Sequence, residues 1–227
     1  MKKIVLFSGG LDSTTCLAKA VSECGSENVI AMSMYYGQKH EKEIDCAKKL
    51  VEYYKVKHIQ YDLSKIFETS DCTLLKRNDA EIPEESYAAQ MEKADGKPVS
   101  TYVPFRNGLF LSVAASVALA EGADVIMYGA HKDDAAGSAY PDCSELFCLL
   151  MKNAIYEGTG KQIKLEAPYI NKNKADIVAD GLKLNVPYEL TWSCYEGGDH
   201  PCGKCGTCID RQKAFEENGV KDPLYDD

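Results

Sequence analysis

The sequence predicts an α/β protein in which a parallel sheet is covered by helices on both faces. Strand-like apolar runs alternate with amphipathic segments along most of the 227 residues. The first such run leads straight into a Ser-Gly-Gly turn that opens a helix. Parallel strands require long crossover connections, and helices lying on the sheet faces supply them.

Residues 3–7 are apolar and read as the first strand, residues 8–10 as the turn, and 12–24 as a helix of good helix formers. A second strand is expected over 29–36. A helix over 41–54 follows, with Ile44, Ala47, Leu50 and Val51 on one face, and a third strand over 58–63. Residues 64–101 break this rhythm with mixed charge and Pro83, Gly96 and Pro98, and read as a partly helical insertion able to act as a lid. The alternation then resumes: helix 105–121, strand 124–129, helix 145–156, strand 163–169 and helix 174–184, the last capped by Asn171 or Asn173. One domain over 1–227 is expected, carrying that insertion and a cysteine-rich segment at 194–208.

Composition narrows the chemistry. A hydrophobic content of 45% supports a sizeable core. No apolar run approaches the roughly 18 to 20 residues that span a bilayer, and no signal-peptide core is visible, so a cytoplasmic protein without a membrane partner is expected. The net charge of −9 disfavours a broad grip on nucleic acid and favours a small-molecule substrate. Of ten cysteines, Cys16, Cys24, Cys46, Cys72, Cys143 and Cys148 are scattered and read as packing residues.

The turn itself, Ser8-Gly9-Gly10-Leu11-Asp12-Ser13-Thr14-Thr15, sits where helix-terminal N–H groups point at any anion above the sheet. The glycines permit close backbone approach, the hydroxyls of Ser8, Ser13 and Thr14 can donate to phosphate oxygens, and Asp12 can orient the turn or a magnesium ion. The alternative is a plain turn followed by an Asp or Ser helix cap. No G-x-x-x-x-G-K-[ST] occurs, which argues against transfer of a terminal phosphoryl group.

Cys202, Cys205 and Cys208 recur at two-residue gaps, with Cys194 upstream, so four thiolates can close one tetrahedron. Structural zinc is the expectation, with an iron–sulfur cluster the principal rival. His200 reads as a loop residue, although it could replace one thiolate.

Ser8-Gly9-Gly10-Leu11-Asp12-Ser13 after an N-terminal strand resembles the pyrophosphate-loop signature of the N-type ATP pyrophosphatases. The likeness extends to Tyr36-Gly37-Gln38-Lys39-His40, Val103-Pro104-Phe105-Arg106-Asn107, Gly129-Ala130 through Tyr140-Pro141-Asp142-Cys143, and Thr191-Trp192-Ser193-Cys194 through Cys208. Together these segments resemble the 7-cyano-7-deazaguanine synthase family. The resemblance implies a Rossmann-like sheet of the adenine nucleotide alpha-hydrolase kind, a homodimer, and an ATP-dependent ligase. Its reaction would convert 7-carboxy-7-deazaguanine and ammonia to a nitrile through adenylated carboxylate and amide, for queuosine biosynthesis.

It further implies catalytic roles for Ser8, Asp12, Ser13 and Arg106, ATP held by residues 8–15, and substrate held by Gln38, His40, Arg106, Asn107, Asp133, Tyr140 and Asp142. Arg106 and Asn107 also fit a helix start with surface charge, Gln38 and His40 a solvated loop, and Asp133 and Asp134 a polar loop. Lys39 and Ser144-Glu145 depart from the family pattern, which commonly has arginine at the first position and soon after the second. A tRNA-modifying relative of the same ATP-binding class, and a zinc-bearing interaction module with bound nucleotide, are the competing readings.

Overall fold

The computed structural model describes residues 1–39, 42–80, 83–84, 90, 98–135 and 139–225. Its chain order is β1 (Lys3–Leu6), α1 (Leu11–Cys24), β2 (Val29–Tyr35), α2 (Lys42–Tyr54), β3 (Lys57–Asp62), α3 (Arg106–Glu121), β4 (Val125–Met127), a one-turn α4 (Lys132–Ala135), α5 (Glu145–Gly158), β5 (Lys164–Glu166), α6 (Lys174–Lys183) and α7 (Gly206–Glu217). All strand pairings are parallel, in the order β3-β2-β1-β4-β5.

Alternation along β1 divides the core into two layers. Val5 packs with Leu17, Leu50, Ile177 and Phe215, so α1, α2, α6 and α7 cover one face. Ile4 packs with Ile30, Leu111, Ala118 and Ile155, so α3 and α5 cover the other. Lys3, at the start of the central strand, is 1% exposed, and its Nζ is held 2.6 Å from Glu23 and 2.9 Å from Glu166. A cation tolerates that burial because two carboxylates partner it.

The expected elements are present with shorter strands at β4 and β5. Asn173, not Asn171, caps α6: its side chain accepts from Asp176 N, and the Asp176 carboxylate accepts from Asn173 N in return. Helix α3 begins at Arg106, because Phe105 takes a left-handed conformation (φ +53) that a helix interior does not use. Within the expected insertion, Phe67, Cys72, Leu74 and Leu75 form a small core with Val103 beneath Tyr36. Its residues 81–82, 85–89 and 91–97 lie outside the described ones. Among the described residues no helix is long and apolar enough to cross a membrane.

From β1 the chain steps to β2 and β3 on one side, then returns to β4 on the other. The loops leaving β1 and β4 therefore diverge, and the crevice between them is where open α/β sheets take ligands.

Candidate active site

The loop after β1 turns at Gly9 (φ +90), where a side chain would meet Glu43 O at 2.6 Å and Ala47 N at 2.7 Å. Only glycine permits α2 to lie this close. Ser8 Oγ accepts from Gly10 N (3.2 Å) and lies 3.1 Å from Ser13 Oγ, which also receives Ser8 N at 3.2 Å. No side chain caps α1 at Gly10, so its first-turn amides keep their free N–H groups for an anion. Asp12 and Ser13 are thus not helix caps.

The Thr14 and Thr15 hydroxyls are taken up within the fold. Thr14 Oγ1 donates to Gly10 O (2.7 Å), and Thr15 Oγ1 donates to Leu11 O (2.9 Å) beside Tyr188 Oη (2.9 Å). Both side chains are fully buried and outside the cavity lining, which takes Ser8 and residues 10–13 from this loop.

Beneath the loop lies a cluster of charges. Asp12 Oδ2 is 3.1 Å from Lys174 Nζ and 3.7 Å from His131 Nε2, and His131 Nε2 is 3.3 Å from Asp134 Oδ2. Burial would raise the Asp12 carboxyl, but Lys174 and His131 outweigh it and hold the group well below the usual carboxylate range. Burial opposes the charge on His131, yet Asp134 and Asp12 raise its pKa. Lys174 is likewise raised against burial by the same two carboxylates.

Facing this cluster across a cavity of about 530 Å³ is Arg106. Its guanidinium lies over the rings of Tyr36 (5.3 Å) and Phe110 (6.0 Å), with Nη1 3.4 Å from Tyr36 Oη. Gln38 and Tyr140 also line the cavity. The Gln38 side chain accepts from Tyr36 N (3.0 Å), and Tyr140 Oη is 2.7 Å from Thr101 Oγ1. Asn107 borders the cavity while its amide reaches Cys143 Sγ (3.1 Å).

Two expected substrate residues accept backbone hydrogen bonds and lie outside the cavity lining. Asp142 is 4% exposed and accepts from Asn107 N (2.8 Å), capping α3 from outside the cavity lining. Asp133 accepts from Lys174 N (2.8 Å) at the start of α6, and its neighbour Asp134 faces the cavity instead. His40 lies outside the described residues. Sequence reasoning missed Lys174, His131 and Glu43. His131 had a usable signal, since it follows Gly129-Ala130 after β4 as Ser8 follows β1.

Beyond the crevice the sulfurs of Cys194, Cys202, Cys205 and Cys208 all lie within 4.8 Å of one another, Cys202 and Cys208 at 4.0 Å. Backbone N–H groups of Glu196 (3.4 Å) and Cys202 (3.3 Å) donate to Cys194 Sγ, and that of Cys205 donates to Cys202 Sγ (3.3 Å). Such donors stabilise thiolates, and the set can hold a metal ion; His200 is not among its members. The segment is tied to the loop, because Trp192 N donates to Gly9 O (3.0 Å).

The family model for "Queuosine biosynthesis protein QueC" matches residues 2–219. A 7-cyano-7-deazaguanine synthase of Archaeoglobus fulgidus is 43% identical over 100% of this chain and 91% of its own. One from Caldicellulosiruptor bescii is 43% identical over 99% of this chain and 96% of its own. Among solved structures, the U34-tRNA thiolase NcsA from Methanococcus maripaludis with its [4Fe-4S] cluster superposes with a TM-score of 0.52 at 16% identity. That likeness covers 96% of this chain and 66% of the other, and it speaks for the fold alone. With matches of this extent at both the family and the relative level, the chain belongs to the QueC family of queuosine biosynthesis proteins.

Proposed function

We propose that the cleft converts 7-carboxy-7-deazaguanine, ATP and ammonia to 7-cyano-7-deazaguanine. The observation that carries this reading is the uncapped Ser8-Gly10 loop facing Arg106 across one cavity at the sheet's crossing point. A substrate carboxylate gripped by Arg106 is thereby presented to the α-phosphate of a nucleotide whose pyrophosphate rests on the loop. The carboxylate oxygen attacks that phosphorus and pyrophosphate departs. Ammonia then displaces AMP to give the amide, whose oxygen is adenylated in turn, and loss of the second AMP leaves the nitrile.

Loop amides, the Ser8 and Ser13 hydroxyls and the Lys174 ammonium would neutralise the charge that grows on pyrophosphate. Asp12 and Asp134 suit magnesium, since Asp12 Oδ1 is buried without a hydrogen-bond partner and both are hard oxygen donors. The ion would supply further charge neutralisation on the phosphates.

We assign the four cysteines to structural zinc. Four sulfurs around one ion at about 2.3 Å stand about 3.8 Å apart, comparable with the observed spacing. A cubane cluster seats its thiolates on separate irons, further apart than this. The expected homodimer has an apolar face available in Leu146, Leu149 and Leu150, exposed on α5.

Mass spectrometry of products from the purified protein with 7-carboxy-7-deazaguanine, ammonium, magnesium and ATP tests the function. Nitrile, AMP and pyrophosphate are expected, all lost in a Ser8→Ala, Asp12→Ala variant. AMP and pyrophosphate without nitrile would move the acceptor elsewhere, and an absence of ATP turnover would sink the reading.

A further inference from the structure

The charged groups beneath the loop pair with one another, but one carboxylate in the cleft does not. Glu43, in the first turn of α2, lines the cavity and makes no hydrogen bond or ion pair among the described residues. Its Oε1 lies 3.8 Å from where a Cβ on Gly10 would stand, so it reaches over the phosphate loop. Arg106 on α3 is the cation that bears on it, and Tyr36 feels its charge. An anion beside the seat of a polyphosphate is a poor device for holding ATP. It is well placed to hold a small cation next to an adenylate formed between the loop and Arg106.

We propose that Glu43 is the catalytic residue that receives the second substrate, binding ammonium in the cleft and taking its proton before the nitrogen attacks the adenylated carboxyl. This rests on the adenylation reading above. In the step, ammonium gives one proton to the Glu43 carboxylate, and the lone pair of ammonia forms the C–N bond at the acyl carbon. The C–O bond to AMP breaks and its electron pair leaves with the phosphate. The new amide nitrogen sheds its extra proton to water, and Glu43 returns its own to solvent.

The environment suits this task. Burial raises the Glu43 carboxyl to about 7, against the opposing pull of Arg106. A general base works best with a pKa near the operating pH. The first-turn position on α2, fixed by the packing of Glu43 O against Gly9, keeps the carboxylate over the loop.

Two half-reactions separate the test. Exchange of labelled pyrophosphate into ATP, with 7-carboxy-7-deazaguanine and no ammonium, reports adenylation alone. Amide formation with ammonium chloride reports the nitrogen step. Glu43→Gln should exchange pyrophosphate within about two-fold of the unmutated enzyme while forming amide about 100-fold more slowly. Its KM for ammonium should rise, and Glu43→Asp should restore part of the rate. In the unmutated enzyme amide formation should increase with pH through about 7 and level off, whereas the Gln variant should keep gaining as free ammonia accumulates. Amide formation at the normal rate in Glu43→Gln, or an equal loss of exchange and amide formation, overturns the inference and leaves adenylation standing. No exchange in the unmutated enzyme overturns both.

Discussion

In the proposed nucleotide site Lys174 supplies the charge that a loop without a Walker lysine lacks, and it reaches Asp12 from 162 residues downstream. Lys174→Gln should lower pyrophosphate exchange by about 100-fold, as loss of one preorganised donor to a developing anion does elsewhere. It should also alter acid stability. Asp12 is depressed in the folded state, so its stabilisation is fully present above its ordinary value of 3.8 and fades as pH falls through the lower folded value. Removing Lys174 moves that folded value up, and acid unfolding followed by circular dichroism should begin at higher pH. In the sequence this lysine is an ordinary first-turn residue on an amphipathic helix, and its role depends on a contact that no local pattern encodes. The loop was legible because its chemistry is contiguous. Even there, the facing of Thr15 was not, since at 100° per residue a helix turns its second-turn side chains off the anion and into the core.

Among elements, α6 shows how a cap reaches the chemistry. The Asn173 capping box fixes where the helix starts, and Lys174 is its first residue. Asn173→Ala should cost about 1 kcal/mol, seen as a lower urea midpoint, and should reduce exchange as well because the lysine loses its anchor. Five helices and five strands could be placed from their sequence patterns, whereas the one-turn α4 and the longer α7 could not. Its sequence has no apolar stripe, because two of its buried residues are Cys208 and Arg211, the latter 1% exposed and held by Asp222 at 2.6 and 2.9 Å. Hydrophobic patterning treats such an arginine as a surface residue. The β5 strand was overestimated for a related reason: its apolar run continues past the last register pair, Met127 with Glu166, where β4 ends.

At the scale of the molecule, the four-cysteine segment and the loop after β1 form one structure. Trp192 N holds Gly9 O, and the next turns of chain carry Cys194 to Cys208. Stripping the ion with a chelator should therefore do more than expose the cysteines to proteases. It should weaken ATP binding measured by calorimetry, although none of these four cysteines lines the cavity, and readdition of zinc should restore it. Elemental analysis should return one zinc per chain. The strand order that creates the crevice was foreseeable only as a class, because a crossover from β3 back to β4 is a long-range choice among topologies.

The Gly9–Trp192 bond also sets a timetable. A ribosome has made residue 9 long before residue 192, so the nascent chain must carry an unfinished phosphate loop until the segment that braces it has emerged. Contacts this distant in sequence are closed late and slowly. A translation pause before residue 192 would leave every strand already made, since β5 ends at Glu166, and the Gly9 carbonyl still without its partner.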